Sequence, residues 1–425
     1  MEAPVLALIP SGVKAGKVYS VLPNNGTGDF TFTRASEGTR IDENGLIDNQ
    51  GIGIPRLDWG DGDCPSLLLE PQRTNEVIWS ENFTQWVKSN LTVSSGQITT
   101  PDGGLNSHKI LETAVNNFRF TYSNIITYPN AVGYSYSIFV KKLGRQYVGV
   151  QTLVNTVTGA VALFDLDTGS VAYTFQHGGH TVSGAKIENY GNDWYRISAT
   201  FTGIAGQSIV FGLVTSDSLW LTGTAYNNPY LGDVNKGVYA FGAQAEEGIY
   251  PSSYINTKGT AVTRVKDFIS GAGSGNLFNS LESTFFVEMA SFLNDQTNIN
   301  GIELSDSSGQ NRITLQYDTI NNQIRCDVRV LSSAQAIITT SSFNVTNFNK
   351  MAITYKTNEV KFYVNGNLIG TDTSVNSFTP GILTEVRSTI AGNSAGAFNL
   401  QAKIKDLRVY DRVLTEAEAI ELTTL

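Results

Sequence analysis

This chain has little charge, little sulfur and no basic run. Asp, Glu, Lys and Arg together make up 16% of its residues, against roughly 25% in an average soluble domain. A surface short of Lys and Glu must be built from Asn, Ser, Thr and Gly, and Gly alone contributes 41 of the 425 residues. The formal net charge is −9 and the isoelectric point about 5.0. Binding to nucleic-acid phosphates needs clustered Lys and Arg, so no nucleic-acid partner is expected. No apolar run approaches the ~18 residues of a membrane-spanning helix, so no membrane insertion is expected. The start, MEAPVLALIPSGVKAGK, carries an acid at Glu2 and is broken at Pro10 and Gly12, unlike the basic start and continuous apolar core of a secretion signal. A place outside a cell would then be reached by another route, such as lysis. Cys64 and Cys326 are the two cysteines. They are read as free thiols in different domains, although their distance along the chain does not exclude a bridge. Asn82, Asn90 and Asn344 each open an Asn-x-Thr triplet, read as incidental without a secretory route.

What is present is β-structure. In KFYVNGNLIG, residues 361–370, Phe362 and Val364 alternate with Tyr363, Leu368 and Ile369 follow, and between the two runs sits Asn365-Gly366, a pair that accepts the positive φ angles of a two-residue hairpin. A hairpin alone is marginal in water, so it must belong to a larger, covered sheet. Six more runs, including YSYSIFVKK, VALFDL and WYRISATFT, lie between residues 134 and 244. A further set, including STFFVEMASF, RITLQYD, QIRCDVRV and KMAITYK, follows from Ser283. Thr415 and Glu418 make a capping box, which predicts a short terminal helix. The fold expected is all-β: two tandem β-sandwich (jelly-roll) domains, preceded by a small irregular N-terminal β segment and closed by a short C-terminal helix. The boundaries are residues 1–66 for a docking or tether segment, 67–268 for the first sandwich, 269–280 (ISGAGSGNLFNS) for a Gly/Ser linker, and 281–425 for the second sandwich.

Residues 281–425 resemble the laminin-G-like, concanavalin A-like jelly rolls, through FFVEMASF, KMAITYK with VKFYVNGNLIG, and IKDLRVYDRVLTEAEAIEL in that order. That fold serves lectins, adhesion modules, glycanases and structural domains alike. The earlier part resembles bacteriophage tail, tail-fibre and head-fibre proteins. The carriers are ALIPSGVKAGKVYSVLP, GDFTFTRASEGTRIDENGLID, CPSLLLEPQRTNEVIWSENFTQWVK and YAFGAQAEEGIYPSSYINTKGTAVTRVKD. The resemblance implies a virion protein on phage tail or capsid surface, with other virion proteins as partners. It also implies a middle domain like a carbohydrate-binding module. Fibres and decorations of this kind are commonly symmetric, and a homotrimer is the first expectation.

Sugar rings stack on aromatic faces while Asn, Asp and Gln meet their hydroxyls. Trp220, Tyr226 and Tyr230, with Asn227 and Asn228 and with Asp233 nearby, offer that set in one loop-like stretch for host surface polysaccharide. The same aromatics would equally close the end of a sandwich or face another subunit. Trp194 opens an inner strand and is read as packing, as are Trp79 and Trp86. His177 and His180 form the only close histidine pair but lack a third ligand at motif distance, so a turn is the default. No cofactor is expected. Calcium stays open, with Asp306, Asp318 and Asp372 as oxygen donors whose spacing matches no motif.

Catalysis has no carrier in the pattern. A glycanase on this fold would need Glu-x-Asp carboxylates on one strand face, and Glu288 and Glu303 have no acid two residues on. The function expected is a non-enzymatic structural protein that projects lectin-like domains. Its alternatives are a glycan-binding adhesin or a polysaccharide depolymerase.

Overall fold

Asn365 and Gly366 turn the predicted hairpin at φ 48° and 77°, pairing strand Glu359–Val364 with Asn367–Asp372. Phe362 and Val364 point into one core, while Tyr363 points to the opposite face, as strand alternation requires. The computed structural model describes residues 2–127, 133–154, 158–218, 229–294, 299–306, 308–390 and 399–425. These residues form an all-β chain divided into two compact units: residues 1–43, 50–72 and 265–425 in one, residues 44–49 and 73–264 in the other.

The unit built on residues 73–264 is a sandwich of two six-stranded antiparallel sheets. One is centred on Ser208–Ser216 and Tyr147–Leu153, the other on Gly237–Glu247 and Gly133–Leu143. Tyr136, Ile138 and Val140 from one sheet, and Val148, Val150, Phe211 and Leu213 from the other, are buried in a single core. Trp86 and Trp194 are also buried, their indole N–H groups donating to Trp79 O and Thr99 O, both at 2.8 Å. The triplet Asn82-Phe-Thr84 is a local turn in which the Asn82 side-chain Oδ1 accepts from the Thr84 hydroxyl at 2.6 Å.

In the other unit an eight-stranded sheet faces a five-stranded one. Phe285, Val287, Ile353 and Phe362 from the first meet Ile302, Leu304, Ile313 and Leu315 from the second. The outer side of the eight-stranded sheet carries Phe286, Tyr363 and Tyr410, which pack under Leu414, Ala419 and Leu422 around helix Glu416–Thr423. The capping box is present as expected, and Arg412 holds Glu418 through two bonds of 2.9 and 2.7 Å.

The chain's first 72 residues behave differently from the tether expected of 1–66. Leu6–Leu8 and Ser66–Leu69 pair with opposite ends of the last long strand, Ala402–Tyr410. These strands cover an edge that would otherwise present a row of free backbone N–H and C=O groups. Being three or four residues long, they carry too little alternation to show which sheet they join. The Gly/Ser stretch 269–280 is part of the same unit rather than a linker. Phe268–Ser270 pairs with Phe30–Thr33, and Ile269, Ala272 and Phe278 are buried in the core. Gly273 sits at φ 109°, where a Cβ would stand 2.1 Å from the Phe278 ring, so its lack of a side chain serves close packing rather than flexibility. Cys64 and Cys326 are both free thiols, as expected. They lie in this one unit, not in different domains.

Candidate functional site

Strand alternation makes the five-stranded sheet two-sided. Ile313 and Leu315 of strand Arg312–Tyr317 go into the core, so Arg312, Thr314 and Gln316 go to the outer face. On strand Ile324–Val330, Cys326 and Val328 go in, and Arg325, Asp327 and Arg329 go out. Antiparallel register brings these residues into rows. The central row runs Arg387, Glu303, Thr314, Asp327, Ile337. On one side lies Gly301, Gln316, Arg325, Thr339, and on the other Glu385, Ser305, Arg312, Arg329.

This face is polar yet poorly hydrated. Glu303 and Thr314 are 0% exposed although they point away from the core, and Ser305, Gln316 and Asp327 are also buried. The arginines beside them hold the carboxylates. Arg387 Nε donates to Glu303 Oε1 at 2.6 Å and Arg387 Nη1 to Glu385 Oε1 at 3.3 Å. Arg325 donates to Asp318 Oδ2 at 3.1 Å and Asp327 Oδ2 at 2.8 Å. Arg329 Nε donates to both oxygens of Asp327, at 3.1 and 3.2 Å. Such charge-assisted pairs fix the orientation of donors and acceptors.

Several buried atoms of the face nevertheless have no hydrogen-bond partner among the described residues: Thr314 Oγ1, Ser305 Oγ, Gln316 Nε2, Arg312 Nε and Arg325 Nε. Native structures rarely leave such groups unmatched without a ligand or water to meet them. Gly301, in register with Gln316, contributes no side chain, and a Cβ there would come within 2.6 Å of Gln316 Cβ. The arrangement is a field of fixed donors and acceptors of the kind that holds a polyhydroxylated molecule.

The residues singled out in the sequence are placed elsewhere. Trp220, Tyr226, Asn227 and Asn228 lie outside the described residues. Tyr230 is 5% exposed, with Arg119 and Arg145 over its ring at 4.1 and 5.0 Å. Its hydroxyl donates to Glu112 Oε1 at 2.5 Å and stands 3.0 Å from Thr215 Oγ1. Burial, and then that carboxylate, hold its proton on well above the usual tyrosine range. Tyr230 is therefore packing within the sandwich, with no free ring face for a sugar. Asp233 accepts from Asn235 N at 2.9 Å. His180 is buried against Gln207 at 2.8 Å, while His177 is exposed beside Phe175.

The oxygen donors considered for calcium are held separately. Asp306 accepts from Ser308, Gly309 and Asn311 within its own loop. Asp318 pairs with Arg325, and Asp372 accepts from Ser374. Among the described residues no group of three or more His, Cys, Asp or Glu is placed to hold a metal ion.

RITLQYD and QIRCDVRV have the pattern of ordinary half-exposed strands, so the polar face does not stand out in the sequence. The usable signal was the alternation Arg-x-Thr-x-Gln followed by Arg-x-Asp-x-Arg. A purely solvent-facing side has no need for that density of arginine and carboxylate.

Residues 283–419 match the family described as the concanavalin A-like lectin/glucanases superfamily. No curated protein sequence matches the chain. Among solved structures, it is similar to a SAP-like pentraxin from Limulus polyphemus, with 16% identity, 34% of this chain and 70% of that one covered, and a TM-score of 0.29. It is also similar to the CBM40 of a Ruminococcus gnavus IT-sialidase bound to α2,3-sialyllactose, with 16% identity, 36% and 88% covered, and a TM-score of 0.31. A third is the NanB sialidase of Streptococcus pneumoniae, with 15% identity, 35% and 25% covered, and a TM-score of 0.28. Likeness of this degree says nothing of ligand or activity.

Proposed function

We propose that the chain is a non-enzymatic saccharide-binding protein whose working surface is the outer face of the five-stranded sheet. The observation that carries this reading is the set of buried, unmatched polar atoms at Ser305, Thr314 and Gln316, flanked by guanidinium–carboxylate pairs. Saccharide hydroxyls both donate and accept, so they can meet Thr314 Oγ1 and Gln316 Nε2 together with the carboxylates already oriented by Arg387 and Arg325. The match of residues 283–419 to a lectin-containing superfamily agrees with this reading without specifying a ligand.

Glu303, Glu385 and Asp327 each pair with an arginine. Carboxylates held in this way suit hydroxyl recognition better than proton transfer. A reducing-end assay on bacterial polysaccharides should therefore show binding without cleavage. Binding of oligosaccharides to the full chain, abolished by Thr314→Val with Gln316→Leu, is the direct test; unchanged binding in that double variant would remove the face from consideration.

A virion setting, host attachment and trimeric assembly are proposals that rest on the resemblance of the N-terminal blocks to phage fibre proteins. They are tested by looking for the chain in purified particles and by its mass in solution.

A further inference from the structure

Arg312 is the odd member of the face. Arg325, Arg329 and Arg387 each form ion pairs, whereas Arg312 forms none among the described residues. Its Nη1 donates to the Gly309 carbonyl at 2.5 Å, and its buried Nε has no partner. Directly opposite it in register is Arg329, and like charges facing each other on neighbouring strands are destabilising. Burial pushes the Arg312 guanidinium's pKa down. Asp327 and Glu303 act against that, and Arg329 and Arg325 add to it.

In register on the other side of Arg312 stands Ser305, whose buried hydroxyl is unmatched. The Thr314 hydroxyl, also unmatched, lies two residues along the same strand and on the same face. The result is a guanidinium that forms no ion pair among the described residues, beside two unmatched hydroxyls. None of the side chains that the five strands turn outward is aromatic. Ile337, 47% exposed, is the one large apolar group among them. Recognition here therefore cannot rest on ring stacking and must come from charge-assisted hydrogen bonds.

We propose that Arg312, with the hydroxyls of Ser305 and Thr314, anchors an anionic group of the bound saccharide, a carboxylate or a sulfate ester. The ligand class is then an acidic polysaccharide, and the neighbouring Glu303 and Asp327 meet hydroxyls of the same chain. An anion at this point relieves the facing of Arg312 and Arg329 and supplies a partner for the unmatched Arg312 Nε.

This inference rests on the reading of the face as a saccharide site, and the two can fail separately. The test is calorimetric titration of the full chain with three oligosaccharides of equal length: an oligogalacturonate, a heparin-derived sulfated oligomer and a neutral malto-oligosaccharide. The expected result is that at least one acidic oligomer binds tenfold or more tightly than the neutral one, and that this preference falls at least tenfold in Arg312→Gln. Arg312→Lys should keep part of it. Which acidic oligomer binds distinguishes carboxylate from sulfate.

Equal affinity for neutral and acidic oligomers would overturn the anion site while leaving the saccharide site standing. Absence of binding to all three would count against both. Should Arg312→Gln unfold, the wild-type chain still decides: affinity for the acidic oligomer must drop several-fold between 50 and 300 mM salt, and a flat salt response overturns the proposal.

Discussion

Arg387 donates from Nε to the Glu303 carboxylate at 2.6 Å across two neighbouring strands, with the Glu303 side chain wholly buried. Removing one partner of a buried pair leaves an uncompensated charge, at a cost of about 3–5 kcal/mol. Arg387→Ala is expected to destabilise the chain by an amount in that range and to weaken saccharide binding. Replacing both residues, Glu303→Gln with Arg387→Gln, should be milder in chemical denaturation than Arg387→Ala alone, because the wholly buried Glu303 charge is removed together with its partner and only the partly exposed Glu385 loses a contact.

A second buried knot stabilises the same unit at its N-terminal segment. Asp267 accepts from Arg34 Nη1 at 3.0 Å, from the Glu70 N–H at 2.9 Å and from Arg56. Arg56 also meets Glu70 Oε2 at 2.6 Å. Burial alone would lower the pKa of Arg56, but Asp267 and Glu70 together raise it. Asp267→Asn, nearly isosteric, should cost about 3–5 kcal/mol in urea unfolding. A loss below about 1 kcal/mol would mean that residues 1–43 and 50–72 are not held to this unit as described.

Gly273 tests the packing of the stretch that reads as a linker. A Cβ there would meet the Phe278 ring at 2.1 Å, and φ is 109°. Overpacking and backbone strain together predict that Gly273→Ala lowers stability by about 2–4 kcal/mol. The exposed turn glycine Gly191, at φ 77° with nothing within 4 Å of a built Cβ, should cost only about 1 kcal/mol on the same change.

Two sets of carboxyls should give opposite pH responses. Glu288 faces Asp406 in register. Burial pushes both carboxyls above their usual range, against Lys350 and Lys405 for Glu288 and against Arg408 for Asp406. A raised folded-state value favours the protonated form. The stability these groups contribute is therefore greatest below the ordinary carboxylate range and is lost as pH rises through the raised values. The melting temperature of Glu288→Gln relative to wild type should climb from pH 4 to pH 7. Glu418, held by Arg412 and Thr415, is pulled down to about 2. Its contribution is present above the ordinary glutamate range and lost as pH falls through about 2, so Glu418→Gln should be least stable relative to wild type near pH 7.

The sequence displayed long strands and local turns well. Tyr134–Lys142, Trp194–Thr202 and the Asn365-Gly366 hairpin carry their own periodicity, and Thr415 with Glu418 carries its own cap. Partners distant in the chain were not legible, since nothing within Leu6–Leu8 or Ser66–Leu69 names Ala402–Tyr410 as the strand they join. Glu288 likewise has no acid two residues along its own strand, and its register partner, Asp406, comes from 118 positions later in the chain. The candidate site was hidden for the same reason. Arg312, Thr314, Asp327, Glu303 and Arg387 become one surface only through the order of five strands, whereas Trp220, Tyr226 and Tyr230 stand close together in the sequence itself.

The most direct measurement is hydrogen-exchange mass spectrometry of the full chain with and without a saturating acidic oligosaccharide. The account predicts added protection in peptides covering strands Asn300–Ser305, Arg312–Tyr317 and Ile324–Val330, with little change in residues 73–264. Protection confined to residues 73–264, or found nowhere in the presence of a saccharide that demonstrably binds, would contradict the assignment of this face.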